Sequence, residues 1–300
     1  MLASVVVAEL SVYEQTVNNL IKIEPLTGAV GANISGVDLR YPLSKDNLTI
    51  LWKALGEYGV LFFREQDLSP EQEIAFAEQW GKININRFFT AVSGYPKIAQ
   101  VLKEPNHEKN IGSTWHTDHS YDQIPAMGSI LFALEVPRTG GDTLFANMYK
   151  AFNGLSNGLQ KTLLKMRAIH SSRNAFGYSA KRHQENNKEF DTRIGNPEAA
   201  TQDAIHPVII THPISGKHAL YINRSFTLQF EGWTKEESTP LLEYLYLHAE
   251  KADFIARFKW EKGCIAFWDN RATWHKALND YPGQRRYMHR ITLEGVALEN

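Results

Sequence analysis

Short apolar segments separated by glycine, proline, asparagine and aspartate recur along most of this chain, and this rhythm constrains the fold more than any other feature. Segments of about four to eight residues that are rich in valine, isoleucine and aromatic side chains and end at turn residues are typical of β-strands. Many short strands with only a few helices predict a mainly β fold, a sandwich or jelly roll decorated by α-helices. The segments assigned to strands are "VLFFRE", "KIAQVL", "GSILFALEV", "DTLFA", "HPVIITHP", "HALYIN", "FKWEKGCIAFWDN" and "RYMHRITLEG".

Four other stretches carry the signals of helices. The stretch "SKDNLTILWKALGEYG" begins at Ser44, a preferred N-cap residue. The stretch "SPEQEIAFAEQWG" places Ser69 before Pro70, and proline is favoured at the first helical position. Two further helices are predicted over residues 156–165 and 235–249.

A single domain is predicted for residues 21–300, because no internal repeat or shift in composition marks a second one. Residues 1–20 show no clear period and are predicted to form an N-terminal arm. Residues 173–204 are rich in asparagine, glutamate, lysine and arginine and interrupt the strand rhythm. They are predicted to form a mobile surface insertion.

The composition excludes several classes of protein. With 43% hydrophobic residues, the 300-residue chain can build a substantial core and is not globally disordered. Its 32 basic and 33 acidic side chains give no bulk charge that would favour a nucleic acid or an anionic membrane as partner. No apolar run approaches the roughly 20 residues that span a bilayer, and the first residues lack the basic region of a signal peptide, so the sequence predicts a soluble, cytoplasmic protein. Cys264, in the apolar run "GCIAFW", is predicted to be a buried thiol.

The stretch "STWHTDHSYD", residues 113–122, contains three potential metal ligands, His116, Asp118 and His119. In an extended segment, residues i and i+2 project from the same face, so His116 and Asp118 can offer an imidazole nitrogen and a carboxylate oxygen to one ion. His119 would then point away. A His-x-Asp triplet is weak evidence by itself, because a hydrogen-bonded surface pair accounts for it more often.

A second, distant region strengthens the metal hypothesis. The stretch "WDNRATWHKALNDYPGQRRYMHR" holds His275 and, after it, Arg286 and Arg290. In a strand the two arginines share a face with Met288, and guanidinium groups on an inward face need anions because unpaired buried charge is costly. Two acids beside an ion held by two histidines and one carboxylate is the arrangement of a non-heme iron oxygenase. The alternative is that each arginine pairs with an Asp or Glu side chain as a structural ion pair.

Five segments, "WHTD", "GGDTLF", "THPISGKHALYIN", "WDNRATWH" and "RRYMHR", together resemble the iron(II)- and 2-oxoglutarate-dependent dioxygenases of the taurine dioxygenase and 2,4-dichlorophenoxyacetate dioxygenase family. The resemblance implies a double-stranded β-helix (jelly-roll) core, with Fe(II), 2-oxoglutarate, O2 and a small acidic substrate as partners. It also implies a homo-oligomer. Halogenases related to this family lack the carboxylate ligand, and because Asp118 is present we expect hydroxylation, with succinate and CO2 as co-products.

Carried over by position, the resemblance assigns the Fe(II) ligands to His116, Asp118 and His275. It assigns the distal carboxylate of 2-oxoglutarate to Arg286 and Thr143. This assignment is chemically reasonable, because a planar guanidinium matches a carboxylate and a hydroxyl can satisfy a remaining lone pair.

The substrate side departs from the pattern of taurine users. The resemblance assigns the acidic group of the substrate to Arg290 and places Trp268 beside the site, where a core aromatic is an equally good interpretation. Asn86, Phe89 and Gly112 stand where taurine users carry His, Tyr and Asn. Because phenylalanine cannot donate a hydrogen bond and glycine has no side chain, the sequence argues against taurine. It favours a more hydrophobic acid: an aryloxyalkanoate, an alkyl sulfate ester or a larger sulfonate.

Two assignments and two competing functions stay open at this point. His119 can contact substrate only if the strand ends at Asp118, and residues 173–204 are predicted to be a lid because relatives carry a mobile loop there. A zinc hydrolase is one competing function, although its H-E-x-x-H motif is absent. The other is a non-catalytic jelly-roll protein with a structural metal.

Overall fold

The computed structural model describes residues 21–180 and 193–300. The predicted arm, residues 1–20, therefore lies outside the described residues, as does the centre of the predicted insertion. The strands of the described part are β1 (Lys22–Pro25), β2 (Ala32–Ser35), β3 (Val60–Phe63), β4 (Ile83–Asn84), β5 (Ala91–Val92), β6 (Tyr95–Lys103), β7 (Gly128–Glu135), β8 (Thr143–Asn147), β9 (Arg167–Ser171), β10 (Asp203–Pro207), β11 (Ile209–Thr211), β12 (His218–Leu220), β13 (Thr227–Phe230), β14 (Ile255–Phe258), β15 (Ile265–Asp269), β16 (Thr273–Ala277) and β17 (Arg286–Leu293). The helices are α1 (Lys45–Tyr58), α2 (Pro70–Glu78), α3 (Met148–Asn153), α4 (Asn157–Leu163), α5 (Arg173–Phe176) and α6 (Lys235–Ala249).

Two sheets face each other across a shared core. The larger sheet has nine strands in the order β1-β2-β3-β15-β7-β17-β6-β5, with β4 paired to β17, and the facing sheet has the order β14-β8-β16. Phe62 of the larger sheet stacks on Phe258 of the smaller one, with ring centroids 4.0 Å apart. One hydrophobic cluster joins the inner faces of both sheets and includes Phe145 and Trp268. This double-sheet arrangement confirms the predicted jelly-roll fold.

The period of two along each strand decides which side chains reach the space between the sheets. On β15, Ile265 and Phe267 pack on the outer face, whereas Ala266 and Trp268 belong to the core between the sheets. On β17, Met288 belongs to that inner core, so Arg286 and Arg290, two residues away on either side, lie on the same inner face. The sequence therefore directs two arginines into the centre of the fold.

The outer face of the larger sheet is covered by the first two helices, both of which begin as predicted. The side chain of Ser44 accepts a hydrogen bond from the backbone N–H of Asn47, and Gly59 ends α1 in the left-handed conformation. Ser69 forms a capping box with Gln72 at the start of α2. The helix predicted over residues 235–249 is observed as α6, and the one predicted over 156–165 is shorter, Asn157–Leu163.

One local element was not predicted. Helix α3 directly follows strand β8 and was not expected, because its N-cap Asn147 is also the last residue of an apolar strand. The described parts of the segment 173–204 include buried side chains, and its assignment as a mobile insertion stays a prediction. Phe176 stacks on Phe88 with ring centroids 4.3 Å apart, and Ile194 is buried.

A buried ionic cluster fixes the end of β15. Asp269 accepts hydrogen bonds from Nε and Nη2 of Arg271 at 2.9 and 2.7 Å and lies 3.0 Å from Nε2 of His212. The side chain of Asp269 is fully buried. Burial opposes its charge, but Arg271 and His212 outweigh that effect and hold the pKa of the carboxyl group below its ordinary value.

Replacing Asp269 with asparagine should lower the free energy of unfolding by about 3 kcal/mol at pH 7, because it leaves Arg271 as an uncompensated buried charge. A carboxyl group whose pKa is depressed in the folded state stabilises the protein above its unfolded pKa of about 3.9 and loses that contribution as the pH falls further. Urea denaturation of both proteins should therefore show that the difference in free energy of unfolding between wild type and variant becomes smaller below about pH 4. The exposed Asp253→Asn variant is the control, and a difference that stayed constant between pH 7 and pH 3 would contradict this role of Asp269.

Candidate active site

Backbone pairing brings the two halves of the predicted metal site together. His116 and His275 face each other in an isolated antiparallel bridge, with N–H to carbonyl distances of 3.2 and 2.8 Å in the two directions. Asp118 follows two residues after His116. One potential ligand atom from each of the three residues lies within 4.8 Å of the others, and all three side chains are buried.

The protonation states of these residues suit a cation. The ring Nδ1 of His116 lies 2.7 Å from the carbonyl oxygen of Thr114, so a proton on Nδ1 leaves the lone pair of Nε2 free. Burial lowers the pKa of His116. Burial, and next the nearby ring of His116, lower the pKa of His275 well below its ordinary value. Burial opposes the charge of Asp118, yet Arg290 and His275 outweigh it and hold the pKa of that carboxyl group low. Two neutral imidazoles and one carboxylate form the donor set of an iron site.

The chain turns sharply after Asp118. His119 has a φ of 57°, which ends the extended conformation that the sequence pattern had suggested for this segment. The ring Nδ1 of His119 lies 2.9 Å from Oδ2 of Asp122. The hydroxyl of Thr117, between the two ligands, donates to the backbone carbonyl of Asn270. The turn brings His119 to the site from which an unbroken strand would have turned it away.

A cavity of about 790 Å³ opens beside the three potential ligands. Every residue that the sequence assigned to metal, cofactor or substrate lines it: Asn86, Phe89, Gly112, His116, Asp118, His119, Thr143, Trp268, His275, Arg286 and Arg290. The structure therefore brings these residues together, and the individual role of each remains a prediction.

Arg286 lies at one end of the cavity without a partner for two of its nitrogens. Its Nε and Nη2 atoms are buried and make no hydrogen bond to the described residues, and burial lowers the pKa of the guanidinium group. Nearby, the hydroxyl of Thr143 accepts a hydrogen bond from Nε1 of Trp260 at 2.9 Å, which leaves its own proton free to donate. The Trp260 ring centroid also lies 5.7 Å from the Arg286 guanidinium. An unpaired buried cation beside a hydroxyl donor fits an organic carboxylate such as the distal one of 2-oxoglutarate.

Arg290 lies next to the potential metal ligands. Its Nη2 atom is 2.8 Å from Oδ2 of Asp118 and 3.1 Å from the hydroxyl of Ser129. The guanidinium group is 5.4 Å from the ring centroid of Phe89 and 6.0 Å from that of Trp268, and its buried Nε has no hydrogen-bond partner among the described residues. A purely structural ion pair with Asp118 therefore accounts for only part of the guanidinium group of Arg290, because its Nε has no partner among the described residues.

Trp268 and Asn86 take part in the architecture of the site. The Trp268 ring lies 4.6 Å from that of His275, and its Nε1 donates to Oδ1 of Asn270 at 2.9 Å. The side-chain oxygen of Asn86 accepts from the backbone N–H groups of Phe88 and Phe89 at 2.9 Å each. That oxygen therefore holds its own loop, and only the amide nitrogen of Asn86 is left to contact a ligand.

Gly112 keeps open the space beside a predicted metal ligand. Its φ is 82°, and a Cβ atom added there would lie 3.3 Å from Cε1 of His116. Gly112→Ala should therefore weaken Fe(II) binding by about tenfold, since it displaces the His116 ring and strains the backbone. Gly94→Ala is a matched control, because Gly94 has a φ of 81° and no atom within 4 Å of the added Cβ. Equal Fe(II) affinities of the two variants, measured by dialysis under anaerobic conditions, would contradict the packing argument.

Comparison with known proteins places this site in a family. Residues 22–292 match the taurine catabolism dioxygenase TauD, TfdA family. An alkylsulfatase of Acinetobacter baylyi is 32% identical over 95% of this chain and 89% of its own length, and an alpha-ketoglutarate-dependent sulfate ester dioxygenase of Pseudomonas putida is 31% identical over 91% and 89%. The crystal structure of a taurine dioxygenase from Burkholderia xenovorans, 32% identical, superimposes with a TM-score of 0.77 over 93% of this chain and 97% of that one.

These matches test the predictions of fold, enzyme class and cofactors. Dioxygenases of this family use Fe(II), 2-oxoglutarate and O2, and the two histidines and one aspartate of such a metal site are present here. The predicted jelly roll, the oxidoreductase class and the three cofactors are therefore confirmed, whereas the two competing functions find no support. The chain belongs to the TauD/TfdA family of dioxygenases.

Proposed function

We propose that this dioxygenase hydroxylates the carbon next to the anionic group of an apolar organic acid, and that alkyl sulfate esters are its preferred substrates. The contact between Arg290 and Asp118 carries the choice of the oxidised carbon, and the similarity to an alkylsulfatase and a sulfate ester dioxygenase supports the choice of a sulfate ester. Because the guanidinium lies 2.8 Å from an oxygen of a metal ligand, an anion bound by Arg290 lies at the edge of the metal site. The carbon that carries the anionic group is then the substrate atom closest to the metal.

Aromatic side chains form part of the cavity wall near Arg290. Phe176 stacks against Phe226 with ring centroids 5.9 Å apart, and Phe89 lies 6.4 Å from Phe176. Among the described residues that line the cavity, Asp118 is the only carboxylate, so a substrate amine would find no second acid. This combination favours an alkyl or aryl tail and argues against taurine.

The chain's own side chains divide the binding work. Arg286 and Thr143 hold the distal carboxylate of 2-oxoglutarate, and Arg290 holds the anion of the primary substrate. The two arginines lie four residues apart on the inner face of β17, so each acid has a separate cation. With 2-oxoglutarate and O2, the bound iron supplies the oxidising power that inserts one oxygen atom into a substrate C–H bond.

Hydroxylation next to a sulfate ester oxygen makes the product unstable. The new hydroxyl group loses its proton as its O–H electrons form a C=O bond. The C–O bond to sulfate breaks, and its electron pair leaves with the sulfate. The products are therefore an aldehyde and inorganic sulfate, together with succinate and CO2 from 2-oxoglutarate.

By resemblance we also propose that the protein forms a homo-oligomer and acts in the cytoplasm. Within residues 21–180 and 193–300, no helix combines the length and apolar character needed to cross a bilayer.

The segment 173–204 is proposed as a lid over the cavity. Phe176 and Ile194 of this segment line the cavity. They lie on either side of residues 181–192, which are outside the described residues. A protease is used to test the lid. If it cleaves this segment at the same rate with and without 2-oxoglutarate and the substrate, the lid is contradicted.

A substrate series tests the proposal. Enzyme with Fe(II) and 2-oxoglutarate is given hexyl sulfate, ethyl sulfate, 2,4-dichlorophenoxyacetate, hexanesulfonate or taurine, and succinate and sulfate are measured. We expect hexyl sulfate to yield succinate and sulfate in equal amounts, with a KM at least about tenfold below that of ethyl sulfate, because each buried CH2 contributes about 0.8 kcal/mol. Turnover of the aryloxy acid without turnover of sulfate esters would assign the enzyme to the other substrate class. Preference for taurine would contradict the apolar site.

A further inference from the structure

Ser129 is a buried polar side chain next to apolar residues on the inner face of its strand. It lies on β7, opposite Trp268 of β15 and Thr292 of β17. The next two residues on the same face, Leu131 and Ala133, belong to the hydrophobic core between the sheets. A hydroxyl group buried at such a position costs free energy unless its hydrogen bonds are made, so its partners indicate what it does.

The hydroxyl group of Ser129 joins two charged side chains. It donates to Oδ2 of Asp118 at 3.2 Å and accepts from Nη2 of Arg290 at 3.1 Å. The same Nη2 also lies 2.8 Å from the same Oδ2. The three side chains form a closed triangle, and each is at least nine-tenths buried.

This triangle distinguishes the two oxygens of Asp118. Oδ2 accepts a hydrogen bond from the hydroxyl of Ser129 and lies 2.8 Å from Nη2 of Arg290 and 3.7 Å from Nε2 of His275, whereas Oδ1 lies 3.6 Å from Nε2 of His116. A carboxylate with one oxygen held in this way can offer the other oxygen to a cation. Hydrogen bonds to ligating carboxylates orient them, and losing such a partner typically costs about 10- to 100-fold in metal affinity.

The triangle also restricts Arg290. With Nη2 committed to Asp118 and Ser129, the guanidinium group cannot rotate freely, and its Nε remains buried without a partner among the described residues. The unsatisfied edge is therefore held in one orientation for an incoming anion. A fixed guanidinium edge binds an anion with less loss of conformational entropy than a mobile one.

We propose that Ser129 is a positioning residue that ties the metal ligand Asp118 to the anion-binding Arg290, leaving Oδ1 of Asp118 for the metal. The anion-binding half of this statement rests on the proposed function, and the metal half does not. Metal and substrate anion then share one hydrogen-bonded unit. Because Ser129 contacts both Asp118 and Arg290, we expect a change that loosens this unit to weaken the binding of both ligands.

The test compares Ser129→Ala with wild type and with Ser238→Ala. Ser238 is a fully buried serine on α6 whose hydroxyl bonds the backbone groups of Phe230 and Thr234 and does not line the cavity, which makes it a matched control. Mn(II) binding is followed by the electron paramagnetic resonance of the free ion, and binding of hexyl sulfate to protein loaded with Mn(II) and 2-oxoglutarate is followed by calorimetry. We expect Ser129→Ala to raise the dissociation constant of Mn(II) by about tenfold and that of hexyl sulfate by about fivefold. Ser238→Ala should change neither, and Ser129→Thr, which keeps the hydroxyl group, should restore Mn(II) affinity.

An unchanged Mn(II) affinity in folded Ser129→Ala would overturn the proposal. A second comparison in the Arg290→Met background separates positioning from general destabilisation. If the triangle acts as a unit, the effect of Ser129→Ala on Mn(II) shrinks in that background, and an equal effect in both backgrounds would contradict it. If wild type binds Mn(II) but not hexyl sulfate, the proposed substrate class fails, and the Mn(II) comparison still decides the role of Ser129.

Discussion

Replacing His116 with alanine should abolish iron retention and turnover together while leaving the protein folded. The side chain provides one of only three ligand atoms in the described cluster, and its Nε2 has a free lone pair because Nδ1 faces the carbonyl of Thr114. Mutating a residue that hydrogen-bonds a metal ligand typically lowers metal affinity about 10- to 100-fold. Loss of the ligand itself should therefore weaken Fe(II) binding by at least about 100-fold. Fe(II) retained after anaerobic gel filtration and succinate formation measure the two effects.

The control is His218→Ala, because His218 lies exposed on β12 and does not line the cavity. It should retain both iron and activity. The melting temperature of His116→Ala should stay close to that of wild type, since the substituted side chain borders the cavity. Turnover that survived in His116→Ala would refute the assignment of this residue as a ligand.

Replacing Arg286 with methionine should raise the dissociation constant of 2-oxoglutarate by at least about 30-fold. Two of its guanidinium nitrogens are buried and make no hydrogen bond to the described residues. They are therefore available to bind an anion. Removing one member of a buried charge pair costs about 2–5 kcal/mol, and each 1.4 kcal/mol is about tenfold in affinity. Calorimetry with Mn(II)-loaded protein gives the constant without turnover.

Arg285→Met is the matched control for that experiment. Arg285 is the preceding residue and lies just before β17, but it pairs with Glu104 and Glu135. Its loss should leave 2-oxoglutarate binding within about twofold, since exposed ion pairs contribute about 0–1 kcal/mol. Equal losses in both arginine variants would show that Arg286 acts through general electrostatics, and the assigned role would be wrong.

Much of the fold could be predicted because its signals are local. Ser44 and Ser69 are N-caps whose side chains satisfy backbone N–H groups of the first turn, so they mark the helix starts in sequence and structure alike. The alternation along β17 placed Arg286 and Arg290 on one face before any partner strand was known. Helix α3 escaped prediction, since its cap doubles as the end of a strand and the period changes within one residue.

The convergence of the site depended on contacts that no local pattern encodes. His116 pairs with His275 across a backbone bridge between distant segments, whereas the sequence indicated only that the two residues could hold the same metal ion. The question about His119 stayed open in the sequence because it depended on where the strand ends, and the positive φ at that residue shows that the backbone turns there. A period-two argument holds only as far as the strand continues.

Two residues of the site were missed altogether. Trp260 acts through its indole N–H on Thr143, a cross-strand bond without a sequence signature. Ser129 did leave a weak signal, a polar residue next to Leu131 and Ala133 on the inward face of the segment "GSILFALE". Because buried polar groups need partners, such a serine is a useful marker for groups that converge on a site from elsewhere in the chain.

An anaerobic titration of metal-free protein with Fe(II) and then 2-oxoglutarate tests the central claim most directly. We predict a visible charge-transfer band that saturates at one equivalent of each and changes when hexyl sulfate is added. Wild type and Arg285→Met should show it, and His116→Ala and Arg286→Met should not at the same concentrations. A well-folded wild-type protein that never develops the band would contradict the assignment of His116, Asp118, His275 and Arg286 to the iron and 2-oxoglutarate site.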